Sequence, residues 1–159
     1  MDYTSQVYLL SHNFYQDYPA SKYPELLHKE GRPYTCLLID SHEGYFICVP
    51  FRSNINHNNS FLFVNTARSK KSHSGLDYSK IAIICNMDYI DSTKAAVTDN
   101  DEYVEMETNL QKITEEVLLY VNNYINHING TKPLHPREFN RRYNYSTLRY
   151  FHNILGCEK

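Results

Sequence analysis

The run Tyr34-Thr35-Cys36-Leu37-Leu38-Ile39-Asp40, then Ser41-His42-Glu43-Gly44, then Tyr45-Phe46-Ile47-Cys48-Val49-Pro50-Phe51 decides the fold. Two apolar, β-prone segments flank four turn-forming residues, which predicts a hairpin with a four-residue loop. Working outward, Gln6 to Leu10 reads as a first short strand, and the polar, Tyr- and Pro-punctuated stretch after it has room for a helical turn. On the other side, Ser60 to Val64 predicts another strand. Beyond a basic, Ser-rich loop, Lys80 to Asn86 is the strongest buried strand of the set. The N-terminal half therefore predicts a small, strongly bent antiparallel sheet, barrel-like, with long loops.

After residue 90 the pattern turns helical. Val104 to Ile128 predicts one long helix, with Leu110, Ile113, Val117, Tyr120, Val121, Tyr124, Ile125 and Ile128 on a single face. Asn129-Gly130 ends it as a C-cap glycine does. Pro136 opens a short basic helix, and Ser146 caps a last one that runs to Leu155 and stops at Gly156. With no internal repeat and no long linker, residues 1–159 read as one α+β domain.

Composition narrows the class. The chain is 42% hydrophobic and 21% charged, which suits a folded globular protein and argues against disorder. No apolar stretch approaches the ~18 residues a membrane span needs. The start of the chain has no signal-peptide pattern, and Cys36, Cys48, Cys85 and Cys157 have no paired ligand spacing. Three of these cysteines lie in apolar runs, as buried thiols do. A reducing cytoplasm is the expected compartment.

The net charge of −2 gives no overall basic signature, but the charges are segregated. Lys132, Arg137, Arg141, Arg142 and Arg149 face only Glu138 between residues 132 and 152. Arg68, Lys70, Lys71 and Lys80 face only Asp77 between residues 68 and 80. Residues 88–116 reverse the balance, with nine acids against Lys94 and Lys112. Basic stretches of this kind suit a polyanion, although solvated surface charge is the plainer explanation. Fifteen tyrosines without a tryptophan offer faces on which bases stack, though most tyrosines in any protein serve the core and surface.

Familiar catalytic signatures are absent: no P-loop, GxGxxG, HExxH or GxSxG occurs. The carboxylates cluster in and before the long helix instead of converging from separate elements, which disfavours a two-metal nuclease. What remains is Pro50-Phe51-Arg52-Ser53-Asn54-Ile55-Asn56-His57-Asn58-Asn59, which brings Arg, Ser, Asn and His together at the end of a strand. RNA carries its own nucleophile in the 2′-OH. A ribonuclease needs a group to orient or deprotonate that hydroxyl, cations for the phosphorane charge, and a proton donor for the departing 5′ oxygen. Arg52, Ser53 and His57 could share these tasks, or the segment could be only a hydrophilic loop turning at Asn54. In Gly75-Leu76-Asp77-Tyr78-Ser79-Lys80, Lys80 could bind a phosphate; otherwise Asp77 caps a turn and Lys80 extends to solvent. His73, and Arg32 before Tyr34, are further candidates, each open to an ordinary surface role.

Taken together, Pro50-Phe51-Arg52-Ser53-Asn54-Ile55, His57, Phe61, Phe63 and Gly75-Leu76-Asp77-Tyr78-Ser79-Lys80 resemble the CptN and TenpN branch of type III toxins. ToxN and AbiQ are more distantly similar. By motif the resemblance spans residues 30–90; beyond them it rests on length and element order. It implies a bent barrel and metal-independent RNA cleavage through a 2′,3′-cyclic phosphate, with no cofactor. It also implies a repeated RNA antitoxin, cut into pseudoknotted units that block the active site and close with the toxin into a ring-like assembly. Ser53 then takes the serine of the motif, Arg52 its arginine, His57 the following histidine and Lys80 the motif lysine. Ser53-Asn54-Ile55 stands where ToxN-like relatives carry Ser-Pro-Lys, so Arg52 or Lys80 must supply the missing cation. Arg32, Tyr34, Asn54, Arg68, Lys70, Lys71, His73, Asp77, Arg137, Arg141, Arg142 and Arg149 are the expected RNA contacts. The rivals are an RNA-binding module without catalysis, an enzyme acting on a small phosphorylated substrate, and a scaffold protein.

Overall fold

The computed structural model describes residues 6–26, 35–91 and 98–157. In the N-terminal half the elements are β1 (Gln6–Leu10), α1 (His12–Asp17), β2 (Thr35–Asp40), β3 (Phe46–Arg52) and β4 (Ser60–Leu62). They continue with α2 (Ser69–Ser72), β5 (Gly75–Asp77), β6 (Ala82–Ile84) and β7 (Ile90–Asp91). Then come α3 (Asn100–Thr108), α4 (Leu110–Ile128), α5 (Pro136–Tyr143) and α6 (His152–Leu155). The fold is α+β.

The hairpin forms as its sequence predicts, with Leu38 opposite Cys48 and Cys36 opposite Pro50. Its turn closes through Ser41, whose hydroxyl donates to Tyr45 O at 2.6 Å, and Gly44 supplies a φ of +91°. β3 is the spine of the sheet. One edge pairs with β2 along most of its length, and the other is divided between two partners. Phe46 to Cys48 pair with β6, whereas Phe51 and Arg52 pair with β5. Pro50, which has no N–H for a ladder, lies in the interval between them. Opposite this interval the chain makes the single 3-10 turn Tyr78–Lys80 that links β5 to β6.

The strand order is β4-β5-β3-β2-β1-β7, antiparallel throughout, with β6 as the branch from β3. Among the described residues the expected barrel is not closed: the edge strands β4 and β7 do not pair with each other. β4 is only three residues long, too short to carry the continuous staggered ladder that closure needs. Two predicted strands are likewise shorter than expected: Ser60 to Val64 stops at Leu62, and Lys80 to Asn86 contracts to β6. At Gly75 the backbone of Phe61 lies so close that a Cβ would collide with its carbonyl oxygen, so only glycine lets β4 and β5 pair here.

The predicted long helix is two. It breaks at Asn109, whose side-chain amide donates to Glu105 O at 2.8 Å and competes with the helical ladder. The apolar stripe of α4 buries Leu110, Ile113, Val117, Tyr120, Val121 and Tyr124, which join Leu37, Ile47, Val49, Ile81, Ile83 and Phe151 in one continuous core. The local helix signals act as read. His135 caps α5 with Pro136 at its start, Ser146 caps the 3-10 segment Thr147–Phe151 that leads into α6, and Gly156 ends α6 at φ +73°. Cys36 and Cys48 are buried, but Cys85 is exposed, contrary to its apolar context. Among the described residues no helix is long and apolar enough to cross a membrane.

The acids of α3 hold down the basic loop between β4 and β5. Glu105 accepts from Val64 N at 2.9 Å and Asn65 N at 2.8 Å, and Asp101 accepts from Ala67 N at 2.8 Å. Glu102 is buried and accepts from Ser74 Oγ at 2.7 Å. Burial raises the Glu102 carboxyl above its usual range, outweighing the opposing Ser74 hydrogen bond and Arg68. The folded chain therefore holds this proton more tightly than the unfolded one, and the stability it contributes is present at low pH and lost as pH rises. Glu102→Gln keeps an acceptor for Ser74 without the charge. Urea midpoints should favour the variant at about pH 7 and converge with wild type towards about pH 4. A difference that stays constant with pH would contradict this account.

Candidate functional site

The interval in the β3 ladder is filled by chemistry. Asp77, the last residue of β5, is fully buried, and among the described residues the hydrogen-bond and ion-pair partners of its carboxylate come from the two sequence segments. Its Oδ2 accepts from Arg52 Nη1 at 2.8 Å. Its Oδ1 accepts from the Ser79 backbone N–H at 2.9 Å and from Ser79 Oγ at 2.6 Å, which fixes the 3-10 turn. His57 Nε2 approaches the same Oδ1 at 3.2 Å and Ser79 Oγ at 3.3 Å. Burying a carboxylate is costly unless hydrogen-bond and cationic partners of this kind meet it. From the far side, Thr147 Oγ1 donates to Ile81 O at 2.5 Å and anchors the chain just after the turn.

The His57 ring is oriented at both nitrogens. Nδ1 accepts the Asn59 backbone N–H at 3.2 Å, so a neutral ring carries its proton on Nε2 and directs it at Asp77. This is not the relay of a serine hydrolase, in which the carboxylate binds one ring nitrogen and the hydroxyl the other. Here hydroxyl and imidazole converge on one carboxylate oxygen.

Lys80 ends the turn, half-buried. Burial lowers its pKa, while Asp77 pulls it back up; Arg52 also depresses it, Glu25 raises it and Arg149 depresses it. It makes no ion pair among the described residues, so its charge is less committed than that of Arg52. Arg149 pairs with Glu25, which also accepts from the Tyr150 hydroxyl, and the Arg149 hydrogen bond holds the Glu25 carboxyl low.

Ser53 follows β3, partly exposed, and its side chain makes no hydrogen bond among the described residues. Asn54 takes a left-handed φ of +59° and is clipped to α2, its N–H donating to Ser72 O at 2.5 Å, and Ile55 N donates to His73 O at 3.1 Å. The exposed Lys70, Lys71 and His73 thus flank the Ser53 loop. Arg68 pairs with Asp99 at 3.2 Å.

Beside His57 opens a cleft of about 620 Å³, lined on one side by Asn58, Asn59 and Ser60 and on the other by residues of α4 and α5. Asn59 Nδ2 donates to Arg142 O at 3.0 Å, and the Tyr120 hydroxyl donating to Arg142 O at 3.2 Å and the Tyr143 hydroxyl donating to Tyr120 O at 2.7 Å hold α5 on α4. Arg141 and Arg142 reach the cleft and both pair with Glu138, while Arg137 is exposed on the same helix.

The sequence-derived candidates therefore divide. Arg52, His57 and Asp77 meet directly, Lys80 acts on them through its field, and Ser53 stands next to Arg52 in the chain. Asp77, expected as an RNA contact, has no exposure to touch RNA and is instead the organising group. Ser79 was not selected from the sequence, although its position two residues after an aspartate is the spacing of a side-chain-capped turn. Arg32 and Tyr34 lie outside the described residues. Among the described residues no group of three or more His, Cys, Asp or Glu is arranged to hold a metal ion. Comparison with protein families, with curated proteins and with solved structures returns no match.

Asp77→Ala strands Arg52 and unties the turn, and should lower stability by about 3 kcal/mol in urea unfolding. Asp77→Asn keeps an acceptor for Ser79 N and should cost less. A loss below about 0.5 kcal/mol in both would show that the carboxylate does not organise this region.

Proposed function

We propose that this chain is a metal-independent endoribonuclease of the type III toxin kind, cutting RNA through attack of its own 2′-OH to leave a 2′,3′-cyclic phosphate. The observation that carries the reading is the convergence of Arg52, His57 and Ser79 on Asp77, within the electrostatic reach of Lys80, with His57 also lining a cleft that Arg141 and Arg142 reach. These are the groups that in-line cleavage of RNA requires, and a cleft of this size accepts one nucleotide.

In this mechanism Ser79 is a positioning residue, because its hydroxyl is already given to Asp77. Ser53, with its hydroxyl uncommitted, holds the scissile phosphate or the 2′-OH. Lys80 and Arg52 neutralise the charge that grows on the phosphorane. The attacking 2′-OH loses its proton to water, and His57 offers its Nε2 proton to the leaving 5′ oxygen once substrate draws that proton away from Asp77, regaining it from water afterwards. Lys70, Lys71, His73, Arg137 and Arg141 grip RNA phosphates on either side. A folded RNA antitoxin seated across these surfaces silences the toxin by filling the cleft, and repeated contacts of this kind close a ring-like assembly in the cytoplasm.

One observation favours a second reading, an RNA-binding module without catalysis: both nitrogens of His57 are engaged. Inducing the chain in cells and mapping RNA 5′ ends separates the two. Cleavage predicts growth arrest with new 5′-OH ends, and with purified protein Lys80→Ala should cut about a hundredfold more slowly or worse while remaining folded. Arrest without new ends would leave the binding module standing.

A further inference from the structure

The cleft has a polar pattern that the cleavage chemistry does not use. Glu116, Leu119, Tyr120 and Asn123 recur at helical spacing along α4 and form one of its walls. Leu119 is 61% exposed and presents an apolar surface to the cleft. Beside it, the partly exposed Glu116 is held by the buried Tyr78, whose hydroxyl donates to Glu116 Oε1 at 2.8 Å. Burial, reinforced by Glu116, raises the Tyr78 pKa, so the phenol keeps its proton and remains the donor of this hydrogen bond. Among the described residues Oε2 accepts no hydrogen bond, and Oε1 retains a second acceptor site. A preoriented, acceptor-only group thus stands next to an apolar surface, and Arg141 and Arg142 line the same cleft.

An anionic group placed inside a site for a polyanion is unfavourable unless the ligand brings hydrogen-bond donors to it. Among the nucleobases, guanine alone presents two adjacent donors, N1–H and the N2 amino group, that match the two oxygens of a carboxylate. Adenine and cytosine pair one amino donor with an acceptor that would face Glu116 with repulsion, and uracil offers one N–H between two carbonyls. A ligand with such a donor edge and a phosphate for an arginine is a guanine nucleotide.

We propose that Glu116, oriented by Tyr78, makes this cleft a guanine-selective nucleotide subsite, in which an unpaired guanosine lies on Leu119 with its phosphate towards Arg141. This rests on the reading of the chain as an RNA-directed protein, and it assigns the base that the cleft accepts next to His57. It predicts that RNA is cut, or held, beside an unpaired guanosine.

The test uses the full chain and the four nucleoside 5′-monophosphates, titrated separately while protein NMR shifts are followed, so that it does not depend on cleavage. Guanosine monophosphate should bind about tenfold more tightly than the other three, shifting signals of Leu119 and Asn123. Glu116→Gln presents one donor and one acceptor, the pattern that suits adenine, and should remove or invert the preference while leaving the fold intact. Arg141→Ala should weaken all four nucleotides alike. Equal binding of all four by wild type, a preference for another base, or an undiminished guanine preference in Glu116→Gln would each overturn the proposal. RNA cleavage measured on the same samples reports separately on the ribonuclease reading: cutting without guanine selectivity sinks only the subsite, and guanine selectivity without cutting sinks only the catalysis.

Discussion

A carboxylate sealed from water must be met by hydrogen bonds or cations on every side, and Asp77 is the group on which the rest of this structure depends. Its two oxygens take Arg52 from the end of β3, Ser79 from the following turn and His57 from the loop after β3. These partners come from three places in the chain that the sheet brings together only because β3 changes partners. β6 pairs with its first residues and β5 with its last, and the turn between β5 and β6 passes the gap. The break in the ladder is thus the space in which the polar cluster sits. Pro50, which has no N–H to give to a ladder, lies in that interval, and the 3-10 turn Tyr78–Lys80 runs past it in place of a paired strand.

The same economy of charge runs through the surface. The acids that crowd residues 101–105 are not a free anionic face: three of them clasp the backbone and one serine of the loop between β4 and β5. That leaves Lys70, Lys71 and His73 facing outward beside the Ser53 loop. On the other flank, Glu138 holds Arg141 and Arg142 at the cleft. In one place acids fix the loop that carries the basic groups and in the other an acid fixes the basic groups themselves, while Lys80, near Asp77, makes no ion pair among the described residues.

How much of this was legible in the sequence depended on how local the cause was. The β2–β3 hairpin could be read because two apolar runs and a turn lie within eighteen residues. The caps at Ser146, Gly130 and Gly156 and the start of α5 at Pro136 could be read because each is a matter of one or two backbone groups. Closure of the sheet could not, since it depends on whether two distant edge strands meet. Nor could the break at Asn109, because the apolar stripe runs on past it and only a side-chain hydrogen bond to Glu105 O marks it. In the site, Arg52, His57 and Lys80 stood out by residue type. The burial of Asp77 did not, because it follows from the register of β3 against β5, whereas the contact of Ser79 with Asp77 is a local capped turn whose spacing the sequence does carry.

The central claim is that the cluster around Asp77 cuts RNA by using the nucleic acid's own 2′-OH. The direct measurement is incubation of the purified chain with a single-stranded RNA in excess EDTA, followed by chemical identification of both new ends. The account predicts 5′-OH and 2′,3′-cyclic phosphate termini, formed with undiminished rate in the chelator. Fragments carrying 5′-phosphates, activity that EDTA abolishes, or intact RNA would contradict it.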